Sequence, residues 1–169
     1  IDPCGPQGPG HLCPNTGPLD DNPVYFINTI CGDGFGDALA LTVNCFDRSA
    51  RDMVNAPVFV NAAMRWDAYD GPLRGNAIDL RRVLTHEFGH VLGLAHPDEQ
   101  GQSVIAIMNS RIGNLDRPQL DDINGVRSLY SAGNPGPPPE AGGCHLAGDR
   151  RAPAAWATLI GGLALLALR

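Results

Sequence analysis

The 169-residue chain predicts an α+β fold: one sheet built in the first half, then a helix carrying two histidines, then a closing helix. Three observations lead there. Short runs rich in β-branched and aromatic residues precede residue 62, as in Val58-Phe59-Val60. Two later segments repeat their apolar residues at helical spacing. The length suits one domain with a sizeable core and is too little for two ordinary ones.

Residues 1–23 are dense in proline and glycine and read as a loop-rich N-terminal segment. Residues 24–30, 38–43 and 58–60 read as strands, with the polar stretch 49–55 as a connection. Residues 62–66 either continue the last strand or begin a turn. In 78–92 the apolar positions Leu80, Val83, Leu84, Phe88, Val91 and Leu92 predict a helix that buries them and leaves Arg81 and Arg82 in water. Asn76 or Asp79 caps its start. A loop over 110–118 follows. The closing helix presents Leu120, Ile123, Val126, Leu129 and Tyr130 as its buried face, and Asp121 and Asp122 sit at the positive end of its dipole. Residues 132–143, Gly-Asn-Pro-Gly-Pro-Pro-Pro-Glu at their heart, form a linker with nothing to bury. Residues 144–169 form a hydrophobic tail; as a helix, its run 154–168 spans little over 20 Å at 1.5 Å per residue, short of the roughly 30 Å bilayer core.

The chemistry is concentrated in His86-Glu87-Phe88-Gly89-His90-Val91-Leu92-Gly93-Leu94-Ala95-His96. On a helix, His86 and His90 lie one turn apart on one face, so their rings can converge. Gly93 lets the chain leave the helix in a left-handed conformation and return His96 as third ligand. Glu87 projects beside the ion, where it can take a proton from activated water without ligating. Three protein ligands leave a position open, which marks a catalytic rather than a structural zinc. The bland alternative, two surface histidines with a solvated glutamate, suits a bare His-Glu-x-x-His; Gly93 and His96 at fixed offsets argue against it.

About a dozen residues on stands Ala106-Ile107-Met108-Asn109, and with it the chain resembles a metzincin metalloprotease, whose extended histidine motif is followed by a methionine turn. The resemblance implies a zincin catalytic domain with a mixed twisted sheet, one catalytic zinc, and Met108 as a hydrophobic floor beneath it. The matrixin branch fits best, over residues 24–131. Residues 37–43 resemble the edge strand that aligns substrate, so Ala38, Leu39, Ala40 and Leu41 are implied to bind peptide; 55–61 resembles the next strand, and 120–130 the closing helix. The loop after the methionine is implied to wall a specificity pocket. Three features depart from the pattern. Pro97 after the third histidine is more like the serralysins, which remain the alternative although no glycine-aspartate repeats follow. No histidine lies between Pro14 and Thr85 to hold a second, structural zinc. The strand and long helix expected before the edge strand have no counterpart in residues 1–23, so the domain is expected to be N-terminally truncated.

A net charge of −6 excludes nucleic acid as a natural partner. Five cysteines point to an oxidising, extracytoplasmic setting, secreted or cell-surface attached, with two disulfides and one thiol over. Cys4 with Cys13 and Cys31 with Cys45 is the favoured pairing, each closing a local loop; other pairings stay open. Cys144, after Gly-Gly and before the apolar run and terminal Arg169, resembles the processing or lipid-attachment residue of a MYXO-CTERM-type sorting tag. Calcium is a candidate second cation at Asp20, Asp21, Asp33 and Asp37, though solvated turn aspartates are commoner. The expected protein is thus a monomeric zinc endopeptidase acting on peptides or proteins, attached to membrane or cell surface through its tail. Two rivals belong to other classes: a catalytically inactive surface binding module on the same fold, and a disulfide-stapled inhibitor or adhesion fragment over residues 1–45.

Overall fold

A computed structural model describes residues 22–47, 52–131 and 163–167. The expectations for residues 1–21, 48–51, 132–162 and 168–169, including Cys4, Cys13, Asp20, Asp21 and Cys144, lie outside the described residues. The fold is α+β. Strands β1 (Val24–Ile27), β4 (Ala38–Val43), β7 (Val58–Asn61) and β10 (Leu163–Ala167) make one mixed sheet in the order β1-β7-β4-β10. β1 runs parallel to β7, whereas β4 is antiparallel to both its neighbours. Three small two-stranded sheets surround it: β2 (Thr29–Ile30) with β3 (Asp33–Gly34), β5 (Cys45–Asp47) with β6 (Asp52–Asn55), and β8 (Trp66–Asp67) with β9 (Ile78–Asp79).

β4 explains why the sheet centre does not show alternation in sequence. All six of its residues are buried, because both faces of the strand are covered. Ala38, Leu41 and Val43 belong to one cluster with Phe35, Cys45 and Phe59. Leu39 and Ala40 belong to a second with Val58, Val60 and Val83, the last from helix α1 (Leu80–Val91). Cys31 and Cys45 are both disulfide-bonded, and Cys31 takes a positive φ of 57°.

Several sequence expectations are corrected. Residues 52–55 are a strand rather than a connection, since they pair with β5. Trp66–Asp67 pairs in parallel with Ile78–Asp79, so the helix begins two residues later than the apolar rhythm suggested, with Asp79 accepting from the backbone N–H of Arg81 as N-cap. The tail segment 163–167 is extended, paired along β4, not helical. No described helix is long and apolar enough to cross a membrane.

The sharpest correction concerns Arg82, which is 2% exposed rather than solvated. Its guanidinium reaches the carbonyls of Leu115 (2.7 Å) and Gly71 and lies 3.9 Å from the equally buried Asp79. A guanidinium carries five donors in a fixed fork, so one side chain ties two loops to the first turn of α1. Of the apolar positions, Val83 is buried and Leu80, Leu84 and Val91 pack against the core as expected, whereas Phe88 and Leu92 are exposed and Arg82, His86, Glu87 and His90 share the buried side.

Helix α2 (Leu120–Tyr130) keeps only part of its expected face: Val126 and Leu129 are half-buried, Leu120, Ile123 and Tyr130 are exposed, and its buried residue is Asp122. The Asp122 carboxylate accepts from the N–H groups of Ile107, Met108 and Gln119 at 3.0, 3.2 and 2.6 Å. Helix-start electrostatics are therefore part of its role, and fixing the methionine turn is the rest.

Truncating one partner of a buried charged pair leaves the other without compensation, so Arg82→Ala should lower the free energy of unfolding by about 3 kcal/mol. Arg81→Ala, whose guanidinium meets Asp70 in solvent, should have no comparable effect. Urea denaturation of the two variants tests the contrast.

Candidate metal centre

His86, His90 and His96 form the one group of three or more candidate ligands that converges among the described residues. Helical pitch brings His86 and His90 together, and the exit from the helix brings the third. Gly93 has φ +89°, the left-handed conformation expected of it, and its N–H bonds the carbonyl of His90 at 2.9 Å. The three Nε2 atoms stand 3.0, 3.0 and 3.1 Å apart. An ion bound tetrahedrally with Zn–N bonds of about 2.0–2.1 Å needs nitrogens about 3.3 Å apart, so this triangle is already close to the required size.

Each ring is oriented from behind. His86 Nδ1 donates to the carbonyl of Ile107 (2.8 Å) and His90 Nδ1 to the carbonyl of Leu94 (2.7 Å), while His96 Nδ1 bonds the Glu99 carboxylate (2.9 Å). A carbonyl can only accept, so the proton of the His86 and His90 rings is on Nδ1 and the lone pair on Nε2. Burial pushes His86 down to about 4, against the opposing hydrogen bond to Ile107. Burial, reinforced by the neighbouring His86 and His96, takes His90 well below the usual imidazole value. Both rings are thus neutral at pH 7, the form a cation requires.

Glu87 is fully buried on the same helix face. Its Oε2 accepts from Thr42 Oγ1 at 2.6 Å, whereas Oε1 has no hydrogen-bond partner among the described residues. Burial drives its carboxyl up to about 8, with the Thr42 hydrogen bond opposing. An orphaned carboxylate oxygen beside three lone pairs fits a site completed by a hydrated cation and does not fit a closed structural cluster. Met108, 2% exposed, lies under the helix at Gly89: a Cβ built there would stand 2.2 Å from Met108 Sδ. The methionine supports the helix segment between the two histidines, and glycine is what allows that approach.

The structure brings His86, His90 and His96 together, sets Met108 against Gly89 between the first two, and turns the Glu87 carboxylate to Thr42. Ala38, Leu39, Ala40 and Leu41, expected on an edge strand, lie on β4, which is interior to the sheet because β10 pairs along its outer side, and which adjoins the site through Thr42. Asp33 and Asp37 are exposed and belong to no group of candidate ligands among the described residues. Sequence reasoning missed Thr42, Glu99 and the methionine-turn role of Asp122. Only Glu99, three residues beyond a ligand histidine, left a local signal.

Residues 30–131 match the family model described as Matrixin. Among curated proteins, the chain is 35% identical over 79 residues to metalloendoproteinase 1-MMP of Arabidopsis thaliana, covering 45% of this chain and 21% of that protein. It is 30% identical over 115 residues to metalloendoproteinase 4-MMP of the same plant, covering 66% and 32%. It is 40% identical over 60 residues to human matrix metalloproteinase-27, covering 33% and 11%. The matched stretches thus span a third or less of these relatives. No solved structure matches the chain.

The signs of the three shifts set a stability optimum for the metal-free protein. From about pH 4.5 to 6.5, unfolding lets His86 and His90 take up protons and makes Glu87 release one, so stability rises with pH. From 6.5 to about 8 only Glu87 still differs, the folded state holds the extra proton, and stability falls. Thermal melts of chelated protein at pH 5, 6.5 and 8 should give their highest midpoint at 6.5; a midpoint rising steadily to pH 8 would contradict the assignment.

Proposed function

Because the chain belongs to the matrixin family, we propose that it is a zinc-dependent endopeptidase. The observation that carries this reading is the convergence of three Nε2 lone pairs, next in sequence to a buried glutamate with one oxygen left unpartnered among the described residues. His86, His90 and His96 would hold the ion. Zinc, when bound, supplies Lewis acidity, polarising the scissile carbonyl and making water acidic enough to attack near neutral pH. Glu87 is the proton carrier: its Oε1 accepts a proton as water adds to the carbonyl and returns it to the departing amine.

The substrate is an extended peptide that lies along β4, bonding the main chain of residues 38–41 by strand addition. That mode selects peptides over small esters. In the free protein the same edge is paired with β10, with Leu165 opposite Leu41 and Ala167 opposite Ala38. A peptide on this edge therefore displaces residues 163–167. The disulfide-bonded Cys31 and Cys45 support an extracytoplasmic setting.

Two measurements test the reading. Glu87→Gln should keep one zinc per chain by elemental analysis and lose peptide hydrolysis by at least about 10²-fold, the scale of general base catalysis; unimpaired turnover would remove Glu87 from the mechanism. Replacing Ala164 and Leu165 together by proline removes donors from the β10 ladder. The full-length double variant should show a lower KM with kcat unchanged, and an unaltered KM would show that peptide does not use this edge.

A further inference from the structure

We infer that Thr42 is a positioning residue for Glu87, a role that rests on the endopeptidase reading and assigns the proton carrier its own partner. Thr42 is the only polar residue in β4, whose other members are Ala38, Leu39, Ala40, Leu41 and Val43. It is fully buried. Strand alternation puts it on the same side as Ala40, the side that packs with Val83 of α1. Burying a hydroxyl there is costly unless it is bonded, and valine would fill the same shape without that cost.

What the hydroxyl meets decides its function. Two acceptors belong to the same residue: the Glu87 main-chain carbonyl at 3.3 Å and Glu87 Oε2 at 2.6 Å. A hydroxyl has one hydrogen, and the shorter contact takes it. A buried threonine serving only its own satisfaction has the carbonyl within reach, yet the closer partner is the carboxylate. The terminal torsion of a glutamate is broad and nearly two-fold, so packing alone does not choose which way the carboxylate plane faces. One donor on Oε2 makes that choice. Oε1 is left as the single oxygen free to accept from water or substrate at the site.

The strand on which peptide lies and the helix that carries the proton acceptor are thereby joined by one hydrogen bond. Thr42 touches no reacting atom. It acts through the orientation of Glu87, so its effect belongs in kcat rather than in zinc affinity or KM.

The test uses full-length zinc-loaded protein with Thr42→Val, which keeps the shape, and Thr42→Ser, which keeps the hydroxyl. Both variants should retain one zinc per chain. Thr42→Val should lower kcat by about 10–100-fold at unchanged KM, within the range lost when a catalytic group is misplaced, while Thr42→Ser stays close to the parent. A readout independent of turnover is acetohydroxamate binding to the cobalt(II)-substituted protein, followed in the visible spectrum; its N–O–H group needs a correctly faced carboxylate beside the metal. Thr42→Val should weaken that binding about 10-fold, with no further loss in a Glu87→Ala background, as coupled residues require. Parental kcat and hydroxamate affinity in Thr42→Val, or equal losses in the valine and serine variants, would overturn the role. If the parent binds zinc but cleaves no peptide, the endopeptidase reading fails instead, and the hydroxamate cycle alone decides for or against Thr42.

Discussion

Everything at the centre depends on the back side of three imidazoles. A histidine ring has two nitrogens, and it can offer a lone pair inward only if the other nitrogen has a fixed use. Here Ile107 O, Leu94 O and the Glu99 carboxylate supply those uses. Two of the three are main-chain carbonyls in segments that leave α1 or return to it. The metal geometry is therefore a property of chain path, and the chain path in turn has its own anchors. Gly93 turns the backbone so that Leu94 O faces His90. Asp122 gathers the N–H groups of Ile107 and Met108, which holds Ile107 O against His86.

That hierarchy accounts for the unusual distribution of polarity. Helix α1 buries Arg82, His86, Glu87 and His90 together with Val83 and exposes Phe88 and Leu92. The buried polar groups have specific partners: Arg82 two carbonyls, the histidines their Nδ1 partners, Glu87 the hydroxyl of Thr42 on one oxygen. Helix α2 follows the same logic, entering the fold by Asp122 while Leu120 and Tyr130 stay in solvent.

The part of this arrangement legible in sequence was the part with a short repeat. His86, His90, Gly93 and His96 obey helical pitch and a glycine exit, so spacing alone gathers them, and Ala38–Val43 and Val58–Asn61 carry enough apolar residues to read as strands. The rest depends on partners far along the chain. Arg82 meets Leu115 across 33 residues, and Thr42 meets Glu87 across 45. Nothing beside either residue signals such a contact, and a charged or hydroxyl side chain with no visible partner is reasonably assigned to water. Helix α1 was misread on its exposed side for that reason, since periodicity counts apolar residues and cannot see that a polar face has been paired. Thr42, lying in an apolar strand, was read as part of the strand and no more.

The same separation explains how binding and chemistry can be joined here without a mobile element between them. β4 is pinned on one side by β7 and on the other pairs with β10, the edge a peptide would take in the proposed reading, so its position is set by the sheet. α1 packs against that strand and carries Glu87, the proposed proton acceptor. A side chain on β4 that grips Glu87 makes the spacing between backbone edge and carboxylate a fixed length. An extended chain along that edge advances about 3.3 Å per residue, so a fixed length selects which of its peptide bonds meets the carboxylate. Register along the strand and placement of the proton acceptor are then one constraint.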